Sequence, residues 1–273
     1  MKSVNILLKT LLLSSPLVLS TTIFGAIIVQ EDFNSYSLGD IGNQGDWQLY
    51  SDNTGPGTLM VGTTGTTFSS SDNPFGGTVG NTVIGNFNDG ALIFTPRAAG
   101  ESTYFSYNYL ALDNTTANHL IDFKTTSTNS PLLRTALSGS IPHDISVYSH
   151  TATNADSGSG VFSEDVGYFI YGKIDASTDL KTFTISLNVT DDVSTIPGTE
   201  SWSYTSSFTY GVARDSNVNA MSFDMGSNRG LIDNIRIGET YADVTAVPEP
   251  STYALLAGFA TLGLVLFRRR LMR

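Results

Sequence analysis

Glu31 and Asp233, near the two ends of the main body, have the residue type and setting to hold a cation. In Ile27-Ile28-Val29-Gln30-Glu31-Asp32-Phe33, strand alternation puts Glu31 on the face of Val29 and Phe33. In Leu231-Ile232-Asp233-Asn234-Ile235-Arg236-Ile237 it puts Asp233 with Leu231, Ile235 and Ile237. An ionised carboxylate on a core-facing position needs a partner. A structural Ca²⁺ completed by backbone carbonyls would serve both residues at once. The alternatives are a strand end whose carboxylate reaches water, or pairing with Arg236 or Arg229. Aromatic side chains offer a second chemistry. Phe105, Tyr107 and Tyr109 alternate along one stretch, and Trp202 and Tyr204 along another, continued by Phe208 and Tyr210. Such a stripe stacks on sugar rings when exposed, so Trp202 and Tyr204 are the expected ligand-binding pair; buried, the same stripe fills a sandwich core.

Other chemistries are excluded or unsupported. The chain has no cysteine, which rules out thiol catalysis, zinc-thiolate sites and disulfide staples. It contains no Gly-x-Ser-x-Gly elbow, and His119, His143 and His150 lack metal-ligand spacing. Gly167 to Lys173 imitates the start of a phosphate loop, but Ile174 replaces the hydroxyl residue within an apolar strand. Asp191-Asp192 and Glu164-Asp165 are adjacent pairs, which a strand would point to opposite faces, a poor geometry for paired acid and base. The Glu-x-Asp-x-x-Glu motif of jelly-roll glucanases is missing as well. No catalytic residue is assigned, and a non-enzymatic protein is expected; a carbohydrate-binding module, or a glycan hydrolase or lyase with an unrecognised site, are the alternatives.

The elements that must position these residues are strands. From Lys181 to Thr190, Phe183, Ile185, Leu187 and Val189 alternate with Thr182, Thr184, Ser186 and Asn188. Similar runs cover Thr103 to Leu112, Leu120 to Thr125, Asp144 to Ser149, Gly167 to Ile174, Ser201 to Gly211, Ala220 to Met225 and Gly230 to Ile237. With several weaker runs they predict an all-β, two-sheet jelly-roll sandwich over residues 26–238. Ser51 to Gly90 is rich in loop residues, and Thr151 to Gly160 reads as a loop tip. Residues 239–247 read as a last edge strand fading into a linker. The whole chain has 14 basic and 25 acidic residues; setting aside Lys2, Lys9, Arg268, Arg269, Arg270, Arg273 and Glu249 leaves 8 and 24, a formal charge of −16. That surface repels nucleic acid and suits an exported protein.

The ends carry addresses. Residues 1–25 have Lys2 and Lys9, then an apolar run and small residues at Gly25-Ala26, the layout of a secretory signal removed by signal peptidase. At the other end, Pro248-Glu249-Pro250 precedes an uncharged apolar run at 252–267 and the cluster Arg268-Arg269-Arg270. At ~1.5 Å per residue that run covers roughly 24 Å as a helix, a short but adequate transmembrane span. The arginines stop it and place the C-terminus in the cytoplasm. These three parts, in this order within 248–273, resemble the bacterial PEP-CTERM sorting signal. The resemblance implies that Pro248, Glu249 and Pro250 are read by an exosortase, a membrane-embedded cysteine transpeptidase of exopolysaccharide-producing bacteria. It implies an exported protein held in the membrane transiently, whose mature form lies at the cell surface or in the extracellular matrix with exopolysaccharide. In style the body resembles carbohydrate-binding-module and concanavalin-like jelly rolls, where a structural calcium sits between terminal strands.

Overall fold

The computed structural model describes residues 25–40, 44–49, 60–62, 82–84, 90–111, 119–125, 133–138, 143–149, 156–163, 166–224 and 230–245. They form a sandwich of two sheets in which every strand pairing is antiparallel. Sheet A contains β1 (Ile27–Glu31), β2 (Gly39–Asp40), β4 (Met60–Gly62), β5 (Thr82–Ile84), β7 (Ser102–Ala111), β12 (Gly167–Ala176), β13 (Thr182–Thr190), β14 (Tyr204–Thr209) and β16 (Gly230–Gly238). Sheet B contains β3 (Trp47–Leu49), β6 (Gly90–Ile93), β8 (His119–Lys124), β9 (Leu133–Ser138), β10 (His143–Ser149), β11 (Asp156–Phe162) and β15 (Ala220–Asp224). The expected all-β, two-sheet architecture is present. Residues 1–24 of the expected signal at 1–25, and the expected helix at 252–267, lie outside the described residues. Among the described residues no helix is long and apolar enough to cross a membrane.

The core lies between the sheets, and period two decides what enters it. Phe105, Tyr107 and Tyr109 of β7, Ile170 and Ile174 of β12, and Phe183, Ile185 and Leu187 of β13 point inward. They meet Ile121 and Phe123 of β8 and Met221 and Phe223 of β15 from sheet B. The Phe105 and Phe123 rings lie 4.6 Å apart between centroids, and Tyr107 meets Phe223 edge-on at 6.0 Å. Gly172 completes this fit: a Cβ there would stand 2.6 Å from the Phe105 ring and 2.4 Å from the Ser186 carbonyl. Three expectations are corrected. Residues 156–162 form β11, paired along β10, although the first five are too polar and small to alternate visibly. The aromatic strand begins only at Tyr204, not at Ser201. Residues 239–247, expected as an edge strand and linker, instead contain a helix, α1 (Tyr241–Thr245), with Asp243, Val244 and Thr245 buried.

β16 is the central organiser of sheet A. One side pairs with β7 throughout; the other pairs with β5 at Leu231 and Ile232, then with β1 from Ile235 to Gly238. Where the partner changes, the register shifts: Asp233 faces Asn108, while Arg236 faces Ser106, so one extra residue sits on β16. Asn234 takes φ +50° to make this bulge, a left-handed conformation that Asn tolerates better than most residues.

Candidate functional site

The bulge separates the two carboxylates that sequence alternation had put together. Ile232, Ile235 and Ile237 all enter the core, so the strand changes phase between Ile232 and Ile235. Asp233 therefore stays with Leu231 on the outward face, opposite Asn108, whereas Glu31 opposes Ile235 and faces inward. Each is buried in its own setting, Glu31 at 9% exposure and Asp233 at 2%. Burial pushes the Glu31 carboxyl up, partly offset by hydrogen bonds from Tyr36 and Trp47. Burial pushes Asp233 up to about 7, against a backbone hydrogen bond from Asn234 that draws it down, with the Asp32 charge raising it further. The Asp233 carboxylate accepts from the Asn234 backbone N–H at 2.7 Å and from its side-chain amide at 3.2 Å. Glu31 and Asp233 thus do not fit one shared calcium ion. Among the described residues no group of three or more His, Asp or Glu side chains is placed to hold a metal.

Trp202 and Tyr204 also part company. Alternation applies only inside a strand, and Trp202 precedes β14. Tyr204 opposes Leu187, an inward position, and packs against the core. Trp202 turns to the outward face of sheet A, 6.2 Å from the Tyr171 ring and 5.8 Å from Tyr241 of α1, edge-on to the latter. Tyr171 and Tyr241 are 6.0 Å apart, so the three rings close a cluster. Asn188 of β13 sets the approach: its amide donates to the Tyr171 hydroxyl at 3.2 Å and to the Ser201 carbonyl, and it accepts from the Ser203 N–H at 2.6 Å.

Beside the rings lies a connected group of charges. The Lys173 ammonium is 3.2 Å from Asp175 and 3.1 Å from Glu200, and 6.0 Å from the Trp202 ring centre. Tyr104 donates its hydroxyl to Glu200 at 2.6 Å. Burial alone would raise the Glu200 carboxyl, but hydrogen bonds from Tyr104, Lys173 and Trp202 outweigh it and hold Glu200 below its ordinary value. Burial alone would lower Lys173; the hydrogen bond to Glu200 and the Asp175 charge outweigh that and raise it. The result is a half-buried patch of aromatic faces and polar groups with an ion-paired lysine at its centre. Tyr171 and Lys173 fall within the expected run Gly167 to Ile174, whereas Asp175 lies just past it and Glu200 and Tyr241 lie where no periodicity marks them.

The third feature of this face is how α1 is fastened to it. Asp243 folds back to accept from the Thr240 N–H and hydroxyl, both at 2.8 Å, and from the Glu239 N–H at 3.2 Å. Val244 is fully buried, and the Tyr241 hydroxyl donates to the Pro197 carbonyl at 2.9 Å. Gly238 permits the closure, since a Cβ there would lie 2.6 Å from the Asp243 Cβ. The start of the sandwich meets this point: the Ala26 N–H donates to Glu239 at 3.3 Å and the Glu239 N–H to the Ala26 carbonyl at 3.1 Å.

Fold and tail together define a two-sheet β-sandwich followed directly by a C-terminal address. The chain matches the PEP-CTERM protein-sorting motif over residues 246–270, beginning one residue after α1 ends. It therefore carries a PEP-CTERM sorting motif at its C-terminus, which implies export, C-terminal membrane anchoring before processing, and exosortase-mediated processing. No curated protein matches the chain in sequence. Among solved structures it is similar to the catalytic domain of the glycoside hydrolase family 131 protein from Coprinopsis cinerea, at 12% identity and TM-score 0.48, covering 82% of this chain and 99% of that one. A GH131 β-glucanase catalytic domain from Podospora anserina gives 13% identity and TM-score 0.48, covering 81% and 100%. Domain 4 of AbnA, a GH43 extracellular arabinanase from Geobacillus stearothermophilus, in complex with arabinotriose, gives 18% identity and TM-score 0.41, covering 81% and 98%.

Proposed function

We propose that this chain is a non-enzymatic surface or matrix protein, exported, sorted by an exosortase and associated with exopolysaccharide in its mature form. The observation that carries this reading is that the described body runs through α1 to Thr245 and the sorting motif is matched from residue 246 on. The non-enzymatic part is supported by the state of the outward charges. Asp175 and Glu200 share the Lys173 ammonium, and Glu200 is held below its ordinary value, whereas glycosidic cleavage needs one carboxyl held protonated. Asp233 has a raised value, but its oxygens are taken up by Asn234 within a buried bulge. The sorting part is tested by the intact mass of the chain from cells with and without exosortase. Loss of the tail only in cells that contain the enzyme is expected; an intact tail in both removes the reading.

A second reading, a carbohydrate-binding module, is favoured by Trp202 and its ring neighbours lying beside Lys173 and Glu200. Aromatic faces next to charged hydrogen-bonding groups suit a hydroxyl-rich ring. Polysaccharide pull-down that disappears in Trp202→Ala while the melting transition persists supports it. Binding unchanged in that variant would move any glycan site elsewhere.

A further inference from the structure

The sorting motif leaves the sandwich from a fastened point. α1 has five residues, too few to hold a helix by itself, so its place depends on the docking already described. Thr245, its last residue, is 7% exposed and donates its hydroxyl to the Tyr241 carbonyl at 2.7 Å. Pro248 follows three residues later, a reach of ~10 Å even in extended chain. The apolar run begins at Thr252, after six intervening residues that span at most ~25 Å. With the run at 252–267 as the anchor that the sorting motif implies, chain length alone limits how far the acidic body can lie from the membrane. Enzymes that cut or transfer a peptide act on segments that are exposed and free of folded structure. A motif this close to a buried residue gives such an enzyme little slack on its N-terminal side. Opening α1 would add the residues from Glu239 to Thr245 to the free segment, while the β16 ladder stays intact.

We propose that α1 is a latch that restrains processing: docked through Tyr241, Trp202, Tyr171 and Asp243, it withholds slack from the sorting motif, and the membrane-embedded enzyme acts on the chain with α1 undocked. The proposal rests on the sorting reading and adds a device that sets the rate. After processing upstream of the membrane helix, α1 stays with the mature body and can close again, so the latch restrains the precursor and costs the product nothing.

The test uses the full chain in a host that supplies exosortase, with pulse-labelled chain followed by intact mass. Two variants relieve the restraint by different routes. Tyr241→Ala removes two ring contacts and the hydrogen bond to Pro197; a Gly-Ser spacer inserted after Thr245 leaves every latch contact in place and moves the motif away. Both are expected to be processed several-fold faster than the wild type, and Tyr241→Ala also gains a protease-sensitive site between residues 239 and 246. Faster processing of the spacer variant supports the latch even where Tyr241→Ala disturbs folding. A spacer variant processed at the wild-type rate or slower overturns it. Wild-type chain that is never processed defeats the sorting reading instead, so the two failures are distinguishable.

Discussion

Two places on sheet A hold acidic side chains in opposite ways, one buried and one exposed. At the bulge, Asp233 is nearly inaccessible, its described hydrogen-bond donors all come from Asn234, and it is pushed up to about 7. At the α1 end, Glu200 is 37% exposed, receives Tyr104 and Lys173, and is held below its ordinary value. The first carboxyl is placed by the backbone, because a bulge puts it there; the second is placed by a cation that wants it. Burial without a cation makes an acid a weak point at neutral pH, whereas a cation beside a partly exposed acid makes it a modest fastening.

The contrast has a sign that pH can read. Folded Asp233 binds its proton more tightly than the unfolded chain, whose ordinary value is 3.8. Its contribution to stability is fully present below about 4 and is lost as pH rises towards about 7. The gap between those two values caps the loss at roughly 4 kcal/mol. Asp233→Asn keeps an acceptor for the Asn234 N–H and removes the titration. We expect it to raise the urea midpoint at pH 8 by more than any other substitution named here changes it, and to flatten the profile between pH 4 and 7. A variant less stable than wild type at pH 8 would show that the ionised carboxylate is needed where it sits. The bulge itself gives the next largest effect. At φ +50°, Asn234→Ala should lose about 1 kcal/mol by the left-handed penalty, while Asn234→Gly should be near neutral. Equal losses in the two would mean that the Asn side chain, and not its backbone angle, holds Asp233.

The sequence showed the sandwich because inward positions of long strands repeat faithfully: Phe183, Ile185 and Leu187 fall where alternation puts them. Apart from β11, whose small polar residues hide its alternation, it misled at three places for one physical reason, since period two holds only while a strand is unbroken. The extra residue at Asn234 flips the face of Ile235 and separates Glu31 from Asp233. The late start of β14 sends Trp202 to the outward face and leaves Tyr204 with the core. β16 ends at Gly238, and the following residues turn into α1 under Asp243 instead of continuing as strand. Bulges and caps are decided by single residues and by partners distant in sequence: β1 and β5 divide one side of β16, and the Trp202 and Tyr171 rings receive Tyr241. The sorting tail needed none of this. Its information is linear, and the match over residues 246–270 falls on the motif read there.

At the α1 end the expected effects are smaller and opposite in sign. Glu200→Gln keeps the shape but leaves Lys173 with Asp175 alone, a change worth about 0.5 to 1 kcal/mol for a partly exposed pair. The wild-type advantage should be present above the ordinary glutamate value of 4.5 and vanish as pH falls through the lower folded value. Melting curves of both proteins from pH 7 to pH 3 should therefore converge on the acid side. Curves that stay parallel would assign the role of Glu200 to packing and not to charge.

Glu239 gives the smallest effect and joins both ends of the body. One oxygen meets Arg97 at 2.8 Å and the other accepts from the Ala26 N–H at 3.3 Å. If the signal is cut after Gly25, that N–H becomes part of a cationic amine against the same carboxylate. Glu239→Gln should then cost more in a body that begins at Ala26 than in the uncut precursor, by a few tenths of a kcal/mol for a surface pair, and the difference should fade with added salt. Denaturant midpoints of the two forms, with and without the substitution, complete the cycle. An equal cost in both forms would mean that the amine does not pair with Glu239, and that only Arg97 and the backbone bond hold the start of β1 to the foot of α1.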